Sequence, residues 1–109
     1  MAFRFRNFKV YQDAKKLHYR IIGATREFPR RASLSIVLQI AEGSAKSSDK
    51  EFNRYLKISM GSASEVASGL EVGNENNLIG QEDCQKLLDL CEEIANQLGG
   101  FSKKLLVGG

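Results

Sequence analysis

The chain has 109 residues, 42% hydrophobic and 27% charged, a length and composition that predict one domain and exclude a disordered chain. No apolar run approaches the roughly 20 residues of a bilayer-spanning helix, and the start alternates Phe3, Arg4, Phe5, Arg6 instead of showing a signal-peptide core, so a cytoplasmic protein with no membrane partner is expected. Formal net charge is +3, yet residues 1 to 31 carry nine Lys or Arg against Asp13 and Glu27, while the rest carries seven basic against eleven acidic residues, so the basic character belongs to the start of the chain.

From Phe8 to Phe28, apolar residues recur at Val10, Ala14, Leu17, Ile21, Ala24 and Phe28, in alternating steps of four and three. That spacing predicts a helix with one buried stripe. Tyr11, His18, Ile22 and Thr25 widen the stripe, and Lys9, Lys15, Lys16, Arg20 and Arg26 gather on the opposite face. Pro29, the only proline, ends the helix because it disfavours helical geometry in the residue before it.

A second, shorter helix is predicted from Arg31 to Ala41, where Leu34, Ile36, Val37, Leu38 and Ile40 leave almost no polar face. Such a helix belongs in the middle of a structure. Gly43 supplies a stop and Ser44 to Ser48 a polar loop. Ser48-Asp49-Lys50-Glu51 then reads as a capping box, each end satisfying a backbone amide of the other.

The third helix repeats the four-three spacing through Phe52, Leu56, Ser59, Ala63, Val66 and Leu70, and its end falls between Val72 and Asn77, where Gly73 and a polar run weaken it. The fourth starts near Gly80 to Glu82, with Glu82 and Asp83 at the positive end of the helix dipole. Its stripe runs through Cys84, Leu87, Cys91, Ile94, Leu98, Phe101 and Leu105, with Gly99-Gly100 marking a bend or the close approach of another backbone. The whole predicts an all-α, antiparallel four-helix bundle with a short, very apolar second helix.

Parts for catalysis are scarce. Cys84 and Cys91 are two helical turns apart, too far for a disulfide, and read as small core residues. The only histidine, His18, has Lys15 three residues before it where a bundle metal site needs Glu, and beside Tyr11 it reads as a boundary residue. Ser44, Ser47 and Ser48 have no nearby base, and no glycine-rich phosphate loop is present. Neither an enzyme nor a cofactor or metal is expected.

Phe5-Arg6-Asn7-Phe8-Lys9-Val10-Tyr11, Phe28-Pro29, Arg30-Arg31-Ala32-Ser33-Leu34-Ser35-Ile36, Ile40-Ala41-Glu42-Gly43-Ser44 and Ser48-Asp49-Lys50-Glu51-Phe52 occur in that order. In this the chain resembles the four-helix bundle proteins encoded by intervening sequences in bacterial 23S rRNA genes, also labelled ribosomal S23-type proteins. Here the connection after Pro29 is shorter than that family's, and Val37 stands where it often has proline. The resemblance implies a bundle with no established enzymatic activity. A shared fold with the accessory variability determinant of diversity-generating retroelements implies assembly as a homo-oligomeric ring, a pentamer, together with binding to RNA or DNA and to a protein partner such as a reverse transcriptase.

Two surfaces could carry such binding. The basic back of the first helix, Lys9, Lys15, Lys16, Arg20 and Arg26, extended at its ends by Arg4, Arg6, Arg30 and Arg31, can neutralise phosphates and gain counterion-release energy. The competing reading is a solvated face, or one paired with acidic residues such as Glu92 and Glu93. On the third helix Gly61, Ser64 and Ser68 are small and close in projection, a face that favours a subunit contact over an ordinary polar surface. Glu42 reads either as a buried acceptor for a helix end or as an exposed terminus.

Overall fold

In the computed structural model, which describes residues 3–25 and 29–107, the apolar stripes of four helices turn toward one another. After a 3-10 turn at Arg4–Asn7 come α1 (Lys9–Ala24), α2 (Arg30–Ser44), α3 (Asp49–Glu75) and α4 (Gln81–Val107). Each helix packs on its neighbours in the chain and α4 closes back onto α1, giving the up-down connectivity of an antiparallel four-helix bundle. Val10, Ala14, Leu17 and Ile21 of α1 meet Ile36 and Ile40 of α2, the Phe52-to-Leu70 stripe of α3 and the Cys84-to-Leu98 stripe of α4 in one core.

The ends of α3 follow from local chemistry. At the start, Ser48 Oγ accepts from the Glu51 amide at 3.1 Å, but the Glu51 carboxylate accepts from Arg54 Nε at 3.0 Å, so the box is half made. At the other end Asn77 takes φ 61°, the left-handed region that asparagine tolerates. Leu78 N–H then donates to the Gly73 carbonyl at 2.8 Å and Asn77 N–H to Asn74 at 3.1 Å, a Schellman closure.

Several expectations change. The first helix ends at Ala24, about one turn before Phe28, which lies outside the described residues. Its last carbonyls are taken up by the Arg30 guanidinium, which donates to Ile22 at 2.9 Å and also to Thr25, so the first residue of α2 caps the end of α1. The second helix runs three residues past Ala41 and contains Gly43 instead of stopping there. A Cβ on Gly43 would sit 2.6 Å from Tyr55 Cβ and 3.0 Å from Phe52 Cδ1, so this glycine serves the close crossing of α2 and α3. Nor is α2 central. It occupies a corner of the bundle and leaves Leu34 41% and Leu38 54% exposed. α4 continues unbroken through Gly99-Gly100, and nothing among the described residues comes within 4 Å of a Cβ built at either.

A side-chain bridge also crosses the α1–α2 interface. Ser33, fully buried, donates to the Arg30 carbonyl at 2.9 Å, which leaves its oxygen to accept from His18 Nδ1–H at 2.6 Å and so assigns the histidine tautomer. Desolvation, aided by the Arg30 charge, lowers the His18 pKa below the ordinary 6.5.

Three outcomes follow for stability. Gly43→Ala should lose about 1–3 kcal/mol in urea unfolding through overpacking, whereas Gly61→Ala, with open space around its Cβ position, should gain up to about 1 kcal/mol from helix propensity. Because the folded His18 pKa lies below the unfolded one, its contribution is complete above about pH 6.5 and declines as pH falls and the unfolded chain takes up the proton first. Unfolding midpoints compared at pH 7.5 and 5.5 should therefore drop more for the wild type than for His18→Gln.

Candidate nucleic-acid interface

Burying the Val10-Ala14-Leu17-Ile21 stripe forces the other side of α1 into water, and Lys9, Lys15, Lys16 and Arg20 are all exposed there. They are not equivalent. Lys9 Nζ donates to the Asp13 carboxylate at 2.6 Å, and the same carboxylate oxygen accepts from Gln97 of α4 at 2.7 Å. Partial burial pushes the Asp13 carboxyl up, but the hydrogen bonds from Lys9 and Gln97 and the nearby Lys9 and Lys16 charges outweigh it, and its pKa is lowered. The Lys9 pKa is correspondingly raised, first by its bond to Asp13 and in small part by Glu93. This flank of the face is thus largely neutralised.

Lys15 lies 5.1 Å from the centroid of the Tyr11 ring, a cation–π contact that leaves it exposed. Lys16 and Arg20, one turn apart, form no ion pair among the described residues. Across α1 and α4, the described residues likewise form none, so the pairing with Glu92 or Glu93 is replaced by the Asp13 bridge. Arg26 lies outside the described residues.

The predicted extensions at the two ends behave differently. Arg4 Nε donates to the Ser44 carbonyl at 3.0 Å and its guanidinium sits 5.1 Å above the Phe52 ring, so it caps the end of α2. Arg30 caps α1 in the same way, and its buried Nε has no partner. Both arginines hold helix ends together. Arg6 is exposed, 5.3 Å from the Phe3 ring, and Arg31 is exposed at the start of α2, in a groove shared with Glu65 and Ser68 of α3. Lys15, Lys16 and Arg20 are therefore the part of the predicted set that forms one free cationic surface.

The small face of α3 divides. Gly61, Ser64 and Ser68 are all exposed, but Ser64 borders a groove between α3 and α4 floored by Ala63, Ala67 and Leu88 and rimmed by Glu71, Asp89 and Glu92, whereas Ser68 borders the α2–α3 groove. Glu42 is exposed and accepts only a long bond, 3.4 Å, from the Tyr55 hydroxyl, which favours the exposed-terminus reading.

Two features escaped the sequence reading. Tyr19 is 79% exposed in the middle of the cationic surface. Its signal was its position, three and four residues after Lys16 and Lys15 on the face opposite the stripe. The second is a cluster at the α2–α3 turn, where Lys46 and Arg54 lie 5.0 and 4.8 Å from the Tyr55 ring. Arg54 and Tyr55 are neighbours in the sequence, and the fold adds Lys46.

Elsewhere the chemistry is quiet. The thiols of Cys84 and Cys91 are buried and donate to the carbonyls of Leu70 at 3.4 Å and Ala63 at 3.2 Å. Burial pushes the Cys91 pKa up to about 11, away from the reactive thiolate. Among the described residues no three His, Cys, Asp or Glu side chains converge as a metal site would require, and no helix is long and apolar enough to cross a membrane.

No curated protein matches the chain. The family model described as 23S rRNA-intervening sequence protein matches residues 6–100, from the Arg6 turn into α4 as far as Gly100. The four-helix architecture and a match over this span place the chain in the 23S rRNA-intervening sequence protein family.

Proposed function

We propose that this protein works by binding rather than catalysis, as a self-assembling helical bundle that holds nucleic acid against the outer face of α1. The observation that carries the reading is the exposed Lys15, Lys16 and Arg20 surface, which forms no ion pair among the described residues. Exposed cations without carboxylate partners are free to neutralise phosphates, and the counterions this releases from the nucleic acid are the main source of affinity for phosphate backbones. Fixed on one rigid helix, the three charges present themselves together. A family named for an insertion in an rRNA gene agrees with an RNA or DNA ligand.

Self-assembly has separate support in the exposed Leu34 and Leu38, one turn apart on the outer side of α2, and in the small Gly61, Ser64 and Ser68 face of α3. Two different surfaces meeting between copies make a heterologous contact, which forms a ring where its rotation closes, as in the pentamer that the family resemblance implies, and a ring multiplies the α1 faces available to one ligand. A reverse transcriptase or another protein partner would add to this arrangement. The alternative reading is a structural or regulatory self-assembling protein whose charge serves only solubility and subunit pairing.

Reversing Lys16 and Arg20 to Glu should weaken binding to RNA or DNA at low salt at least tenfold and flatten the dependence of log affinity on log salt by about two units, with unfolding unchanged. Equal binding by both proteins across the titration would favour the assembly-only reading. Ser64→Arg should convert the assembly to monomers in sedimentation at micromolar concentration while each bundle stays folded; a monomeric wild type would remove the ring from this account.

A further inference from the structure

We propose that the outer face of α1 is a stacking platform for unpaired nucleotides, with Tyr19 contacting a base and Lys15, Lys16 and Arg20 contacting the flanking phosphates. This rests on the nucleic-acid reading above and adds that the ligand is single-stranded.

Tyr19 is more exposed than any other large apolar or aromatic side chain among the described residues, at 79%. The other two tyrosines each lie under a cation: Tyr11 under Lys15, and Tyr55 under Lys46 and Arg54. Tyr19 has neither a cation nor an aromatic partner among the described residues, so its ring is free to take one. It lies outside the core.

Helical side chains lean toward the N-terminus, so the Tyr19 ring lies over the turn that carries Lys15 and Lys16. By the same geometry a side chain at position 23 would lean over Tyr19, and that position is glycine. A Cβ there would meet nothing within 4 Å, so packing does not require glycine, although glycine weakens a helix. Its effect is to leave the C-terminal flank of the ring clear. Gly23 also opens onto a groove lined by Arg20, Asp83 and Lys86, where Lys86, paired with Glu82 at 3.2 Å, is one further cation beside the same path.

An aromatic face between cations is the arrangement that binds single strands, because a base can stack on it and its phosphates reach the neighbouring charges. A duplex offers it no face, since paired bases are already stacked and display only their edges. Gln12, the hydrogen-bonding amide on this side of α1, is turned back onto the Arg6 carbonyl at 2.6 Å, so an edge-reading role is poorly served.

Binding of labelled single-stranded oligouridine and of a mixed-sequence RNA duplex, followed by fluorescence anisotropy, tests the proposal. Tyr19→Ala should weaken oligouridine binding roughly tenfold without altering the salt slope, Tyr19→Phe should retain it, and duplex affinity should stay unchanged. Gly23→Gln should weaken oligouridine binding without loss of thermal stability. The chain has no tryptophan, so Tyr19→Trp supplies a single reporter whose emission should be quenched by oligouridine. Unchanged oligouridine affinity in Tyr19→Ala, or equal losses on duplex and single strand, would overturn stacking even where the Lys16 and Arg20 reversals still weaken binding. A change in sedimentation on Tyr19→Ala would overturn it too, by assigning the residue to a contact between copies. Absence of wild-type binding to either RNA would bring down the nucleic-acid reading with it.

Discussion

The orientation of α1 about its own axis is the constraint on which the surface depends. Val10, Ala14, Leu17 and Ile21 are at most 3% exposed, and burying Leu17 or Ile21 alone is worth about 1.5–3 kcal/mol. Rolling the helix over would give up that burial and drive Lys16 and Arg20 toward the core, at several kcal/mol for each ion. The helix therefore has one rotational setting, and this setting turns Lys15, Lys16, Tyr19 and Arg20 outward. Asp13 refines it: held by Lys9 and Gln97, it fastens α1 to α4 and neutralises one edge of the face, so the free charge is concentrated further along.

Two arginines that read as part of a basic patch hold the bundle's short connections instead. Arg30 donates to the final carbonyls of α1 from the first turn of α2, and Arg4 reaches the end of α2 from the 3-10 turn. Each places a cation at the negative end of a helix dipole, where it is favoured electrostatically as well as by hydrogen bonding. The close return from α1 into α2 follows from this capping, and the His18–Ser33 bridge fastens the same junction from the other side. Arg4 and Arg30 thus serve the fold while Lys15, Lys16 and Arg20 stay exposed, and only geometry separates the two sets.

Much of the fold was legible in the sequence because amphipathic periodicity reports burial directly. The α3 stripe from Phe52 to Leu70 and the α4 stripe from Cys84 to Leu98 are buried as their spacing predicted, and Ser48 caps α3 as its neighbours implied. Helix ends were harder. The end of α1 is set by Arg30, which comes from the next helix, and Gly43 looked like a stop because its close contact with Tyr55 and Phe52 is invisible before α2 and α3 are placed together. The apolar second helix was assigned to the interior on composition alone, yet a helix at the corner of a bundle must leave one side uncovered, and Leu34 and Leu38 occupy it. At the candidate interface, charge counting singled out α1, on which Lys15, Lys16 and Arg20 are exposed. It could not tell Lys16 and Arg20 from Arg4 and Arg30, and it passed over Tyr19 because an aromatic residue adds no charge.

The central claim is that a ligand meets this protein on the outward face of α1. Amide chemical-shift mapping tests it most directly, with isotopically labelled protein titrated with a short single-stranded RNA at low salt. The account predicts saturable shifts concentrated from Lys15 to Gly23, together with the Tyr19 ring resonances. Shifts concentrated on the α3–α4 groove around Ser64 and Glu92, with α1 undisturbed, would contradict it.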